Sequence, residues 1–115
     1  MAHYGLVLTR SPGEGGCTQP LFKLTGGMLD AGHQVTWFLL SDAVWMLKKG
    51  PATMELHGEL AAMGKRGVKV VACGESMEAR GLRPDETVVP AEITDDTYGH
   101  LVDLVMEEWD NHLIV

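Results

Sequence analysis

Residues 68–82 read Val68-Lys69-Val70-Val71-Ala72-Cys73-Gly74-Glu75-Ser76-Met77-Glu78-Ala79-Arg80-Gly81-Leu82. Val68, Val70, Val71 and Ala72 form a short apolar run rich in β-branched residues, the pattern of a strand buried on both faces of a parallel sheet. Glu75, Ser76, Met77, Glu78 and Ala79 suit a helical turn, and Gly81 suits its C-terminal stop. Cys73 therefore falls at the carboxyl end of a strand and beside Gly74 at a helix start. Open α/β sheets place their chemistry at that edge. Unpaired N–H groups there favour the thiolate, which makes the cysteine a better nucleophile.

The same alternation extends both ways. Upstream, His3, Tyr4, Gly5, Leu6, Val7, Leu8 and Thr9 read as a first strand, followed by a Pro- and Gly-rich loop at 10–16. Thr18 suits a helix N-cap, Pro20 is tolerated in the first turn, and Leu21, Leu24, Met28 and Leu29 recur at helical spacing up to Gly32. A near-continuous apolar strand covers 34–40. Ser41 or Asp42 caps a short helix over 43–49, and a longer helix covers 53–65. Downstream of Gly81, the β-branched run at 87–89 predicts a fourth strand. Thr94 caps a last helix with Asp95 and Asp96 in its first turn, and Leu113, Ile114 and Val115 close the chain as a strand. Five strands alternating with helices predict one α/β domain over 1–115, a mostly parallel sheet with helices on both faces. A strand order of 2-1-3-4-5 makes strands one and three neighbours, about 4.8 Å apart. It brings the 10–16 loop to the edge that carries Cys73, with Cys17 on the same rim.

Composition narrows the function classes. The net charge is −7 with no basic cluster, against a nucleic-acid-binding face. No apolar run is long enough to span a bilayer, and Met1-Ala2-His3-Tyr4-Gly5 leads into a strand without a signal-type segment, so the expected location is the cytoplasm. The two cysteines, Cys17 and Cys73, are too few for a disulfide scaffold and lack zinc-type spacing. His3, His33, His57, His100 and His112 are scattered, which predicts no metal site and no bound cofactor. The seven methionines read as core filling.

Position alone leaves two readings of Cys73, a small buried residue or a reactive thiol. Glu75 and Glu78, if close, raise its pKa, and Arg80 lowers it. Ser11, Gly13, Gly15 and Gly16 form either an anion-holding turn or a lip over a neighbouring site. Their spacing matches neither a P-loop nor the dinucleotide fingerprint. A redox pair of Cys17 and Cys73 requires their Cα atoms within about 7 Å. Trp37, Trp45 and Trp109 read as core or subunit contacts, with Trp45 the candidate for an interface or site wall.

Several of these features occur together in one known family. They are the opening strand with its Gly-rich loop, Ala31-Gly32-His33-Gln34-Val35 entering the second strand, Val70-Val71-Ala72-Cys73 with Arg80-Gly81 at plus seven and plus eight, and Asp110 before the closing apolar strand. The chain resembles the DsrE/DsrF-like family, which includes the TusD-type sulfur relay subunits. The resemblance implies flavodoxin-like layering and a trimer or hexamer of like or related subunits. It also implies a sulfurtransferase or relay role in which Cys73 carries sulfur as a persulfide and exchanges it with small sulfur-carrier proteins. Loop 10–16, Gly74 and Arg80 then line the site; Cys17 has no family role and stands on the rim only by the expected strand order. The alternative is a binding or structural subunit of the same fold with Cys73 inert, holding a nucleotide or another small anion at the 10–16 loop.

Overall fold

A computed structural model describes residues 1–10, 18–48 and 54–115. In chain order the elements are β1 (His3–Leu8), α1 (Thr18–Asp30), β2 (Gln34–Leu39), a 3-10 segment (Ser41–Leu47), α2 (Met54–Lys65), β3 (Lys69–Cys73) and α3 (Gly74–Ala79). A 3-10 turn (Pro84–Glu86), β4 (Glu92–Thr94), α4 (Thr97–Asp103), a π turn (Leu104–Glu108) and β5 (Asn111–Ile114) complete them. The five strands form one sheet in the order β4-β3-β2-β1-β5, and every pairing is parallel.

The sheet has helices on both faces, the flavodoxin-like layering. Side chains alternate along each strand and so divide the core. Leu6, Leu8, Val35, Trp37, Leu39, Val70 and Ala72 face one layer, where they meet Leu21 and Phe22 of α1, Leu60 of α2 and Met77 of α3. Val7, Phe38 and Val71 face the other, under Leu101 of α4, Leu104 of the π turn, and Trp109. Gly5 makes room for that indole, because a Cβ on Gly5 would collide with the Trp109 ring. Trp37 is likewise a core residue, its Nε1 donating to Thr25 Oγ1 at 3.1 Å. Trp45 is half-buried beneath the Lys48 ammonium, 5.1 Å from its ring centre.

Two sequence-based expectations about topology fail. The order is not 2-1-3-4-5: β2 lies between β1 and β3, because each strand from β2 to β4 pairs with its predecessor and only β5 returns to the far side of β1. The fourth strand is not at 87–89. Thr87 forms an antiparallel bridge with Lys48, Val88 N–H donates to Leu47 O at 2.9 Å, and Val89 is buried in the core. Pro90 then has no N–H to give to a ladder. The free edge of β3 is taken instead by Glu92–Thr94, with a Lys69–Glu92 ion pair of 3.2 Å across the pairing. Thr94 therefore ends a strand, and Asp96 is the residue that precedes α4.

Candidate functional site

The parallel register puts Cys73 opposite Thr94 at the carboxyl edge of the sheet. Cys73 is also the N-cap of α3, and its Sγ accepts the Ser76 N–H at 3.3 Å. Cysteine rarely fills that role. It works here because residue plus three presents an amide that the new helix leaves without a backbone partner. From the other side Thr97, buried in the first turn of α4, donates its hydroxyl to the same sulfur at 2.8 Å.

Gly74 permits this convergence. A Cβ on Gly74 would lie 2.8 Å from the Thr94 carbonyl oxygen and 3.4 Å from Ile93 Cγ2. The end of β4 can therefore approach α3 closely enough to deliver Thr97. Gly74 shapes the site through its missing side chain.

Cys73 is 4% exposed. Burial is the largest single influence on its pKa and pushes it up. The Ser76 and Thr97 hydroxyls and the Ser76 and Glu75 amides push it down, and together they leave it below its ordinary value. Glu75 thus acts on the sulfur through its amide, while its carboxylate and that of Glu78 lie exposed. The rise expected from these two acids does not set the direction.

Arg80 does not act on the sulfur directly. Its Nε and Nη2 donate to Asp42 Oδ1 at 3.0 and 2.9 Å, its Nη1 to the Ser76 carbonyl at 3.0 Å, and its Nη2 to Ser41 Oγ at 3.3 Å. The guanidinium ties the turn after β2 to α3. Ser41 N–H closes the link by donating to Ser76 Oγ at 2.9 Å, leaving that hydroxyl's proton for the sulfur. Ser41 has φ of 53°, a backbone conformation that side chains disfavour, and these contacts hold it there.

A pocket of about 400 Å³ opens over the sulfur. Thr9 at the end of β1, Leu40, Ser41, Ser76, Thr97 and Tyr98 are among its walls. Although β1 and β3 are not neighbours, the chain leaving β1 does reach the rim through Thr9. Ser11, Gly13, Gly15, Gly16 and Cys17 lie outside the described residues, so their part in the lip, and the Cys17–Cys73 distance, are not placed. Among the described residues no three His, Cys, Asp or Glu side chains gather as a metal-binding group.

Thr97, Ser76, Ser41 and Asp42 are site residues that sequence reasoning missed. Ser76 carried a usable signal, its plus-three spacing from a residue at a strand–helix junction. Thr97 carried none while the fourth strand was placed at 87–89.

The profile of the DsrE/DsrF-like family matches residues 3–111. The chain belongs to this family. No curated protein matches the chain. Among solved structures, this DsrE/DsrF-like chain is similar to the protein of unknown function MTH1491 from Methanobacterium thermoautotrophicum. Identity is 15% over 100% of both chains, with a TM-score of 0.85. It is also similar to the ychN protein from E. coli, with 20% identity over 100% of both chains and a TM-score of 0.76. At these identities the likeness is one of fold.

Proposed function

We propose that this DsrE/DsrF-like protein is a sulfur-relay subunit that carries sulfane sulfur on Cys73. Family membership supports a general sulfur-relay role. The observation that carries the finer reading is the Cys73 sulfur itself, a free thiol held by the Ser76 amide and the Thr97 hydroxyl at the floor of an open pocket. Hydrogen bonds to the charged form lower the thiol pKa and so enlarge the thiolate fraction, and the thiolate is the species that attacks sulfur.

In uptake, the Cys73 thiolate attacks the outer sulfur of a donor persulfide, R–S–SH. The donor S–S bond breaks, R–S⁻ leaves and takes up a proton, and Cys73 becomes Cys–S–SH. In delivery, an acceptor thiolate attacks that outer sulfur, the Cys73 S–S bond breaks, and Cys73 returns as thiolate. No net oxidation occurs in either half. The same two donors that hold the thiolate can hold the inner sulfur of the persulfide, and the pocket above it has room for the outer one. Donor and acceptor on this reading are small sulfur-carrier proteins, and the protein works as a trimer or hexamer of like or related subunits. No described helix is long and apolar enough to cross a membrane.

Incubation with polysulfide followed by intact-mass measurement tests the reading. In a Cys17→Ser background one sulfur should add to Cys73 and be removed by dithiothreitol, and the further change Cys73→Ser should abolish uptake. Equal loading of the Cys73→Ser protein overturns the assignment in favour of an inert Cys73.

A further inference from the structure

We propose that the outer face of α4 and the following π turn docks a basic, amphipathic segment of a partner protein beside the Cys73 pocket. The inference deepens the sulfur-relay reading by naming the chemistry of the partner, and it rests on that reading only for why a thiol should come here.

Three observations carry it. First, α4 covers the second face of the sheet with Leu101, Leu104 and Val105 turned inward, yet its outside is not polar. Tyr98, Val102 and Met106 recur every four residues and are 75%, 57% and 78% exposed. That spacing sets them one turn apart along a single row. Second, the row leads into the site, because Tyr98 also walls the pocket over Cys73. A segment lying along α4 therefore reaches the sulfur.

Third, charge selects the occupant. After Arg83 the chain contains nine carboxylates and no Lys or Arg. Asp95, Asp96, Asp103, Glu107 and Glu108 are exposed around the row, and among the described residues none of them forms an ion pair. Elsewhere Asp30, Asp42, Asp85, Glu86 and Glu92 are all paired. A second copy of this chain is a poor occupant. The same face would bring like charges together, Arg66, Lys69, Arg80 and Arg83 are already engaged with carboxylates of their own chain, and the exposed Arg10, Lys23 and Lys65 are single cations on separate elements rather than a stripe. Nucleic acid is excluded by the same sign of charge. An apolar stripe edged with Lys or Arg satisfies both features.

The test uses the full chain and a fluorescein-labelled synthetic helical peptide with leucine on one face and lysine on the others. Anisotropy should show binding that weakens steeply with salt, as screening of exposed charges requires. The same peptide with glutamate for lysine should not bind. The double variants Val102→Ser/Met106→Ser and Asp103→Lys/Glu107→Lys should each weaken binding about tenfold, as expected on losing anchor contacts. All four positions are exposed, so both proteins should fold. Glu59→Lys/Asp85→Lys, an equal change of net charge away from α4, should stay within about twofold of the unmutated protein. Three results overturn the proposal: equal binding of the glutamate peptide, equal weakening by Glu59→Lys/Asp85→Lys, or a self-association that Val102→Ser/Met106→Ser breaks while the lysine peptide binds nowhere. Sulfur uptake is measured separately by mass, so failure of Cys73 to load leaves the docking result intact and counts only against the relay reading.

Discussion

Two of the pockets formed by the described residues are nearly equal in size, about 400 Å³ over Cys73 and about 390 Å³ beside α2. The second is walled chiefly by apolar side chains, among them Trp37, Leu60, Met63, Val68, Val70 and Val89. The two share no lining residue. The pocket over Cys73 lies where three strand ends and two helix starts meet, and its lining is rich in polar side chains, Thr9, Ser41, Glu75, Ser76, Arg80 and Thr97 among them. Volume does not separate them. What separates them is whether backbone ends converge, because only there are polar groups left to face a ligand.

The contrast can be broken by experiment. Leu60→Ala should have the largest effect, a loss of about 2–5 kcal/mol on chemical denaturation, because Leu60 is almost fully buried. The pH profile of Cys73 alkylation should not move. If it moves, the two pockets are coupled and the division fails. Gly74→Ala should cost about 1–3 kcal/mol, since the new methyl group meets the Thr94 carbonyl oxygen at 2.8 Å. Unlike Leu60→Ala it should also slow alkylation, by pushing β4 and Thr97 away from the sulfur.

Thr97→Val keeps the shape and removes one donor. The thiol pKa should rise, and alkylation by iodoacetamide near neutral pH should slow by up to about tenfold, the order expected on losing one hydrogen bond to a charged group. In the unmutated protein the alkylation midpoint should lie below that of an unperturbed cysteine measured under the same conditions. The sign for stability follows from the same shift. The folded pKa is depressed, so the contribution of the thiolate is present above the unfolded value and is lost as pH falls through the folded one. Thr97→Val should flatten that dependence in denaturation measured across the alkaline range. Arg80→Lys should have the smallest effect, below about 1 kcal/mol, because the pair with Asp42 is partly solvated. Its readout is a modest slowing of alkylation as the turn at Ser41 loosens. A slowing as large as that of Thr97→Val would mean that Arg80 acts on the sulfur directly.

Much of this architecture is written in local pattern. The β-branched run before Cys73, Val35 to Leu39, and the apolar spacing of α1 and α2 each announce their element, because burial against a sheet demands continuous or period-matched apolar residues. The run at 87–89 misleads for the same reason. Val88 and Val89 are buried, but as a connection packed against the core, whereas the true β4 is three residues long with an exposed glutamate. An edge strand of that length leaves little periodicity to detect.

Local sequence alone determined that Cys73 ends a strand and begins a helix, that strands alternate with helices, and that positive charge is absent from the last quarter of the chain. These follow from propensities and composition, which act within a few residues. The strand order, the Thr97 hydroxyl on the sulfur, the clamp from Arg80 to Asp42 and Ser41, and the outward row on α4 were decided only by tertiary structure. Each depends on which elements lie side by side. Thr97 is 24 residues from Cys73 and Asp42 is 38 from Arg80, so the pairings have no local signature. The sulfur at position 73 and its Ser76 and Glu75 donors lie within three residues of one another in the chain, but the Thr97 hydroxyl that joins them is brought by the approach of β4 to α3, which Gly74 allows.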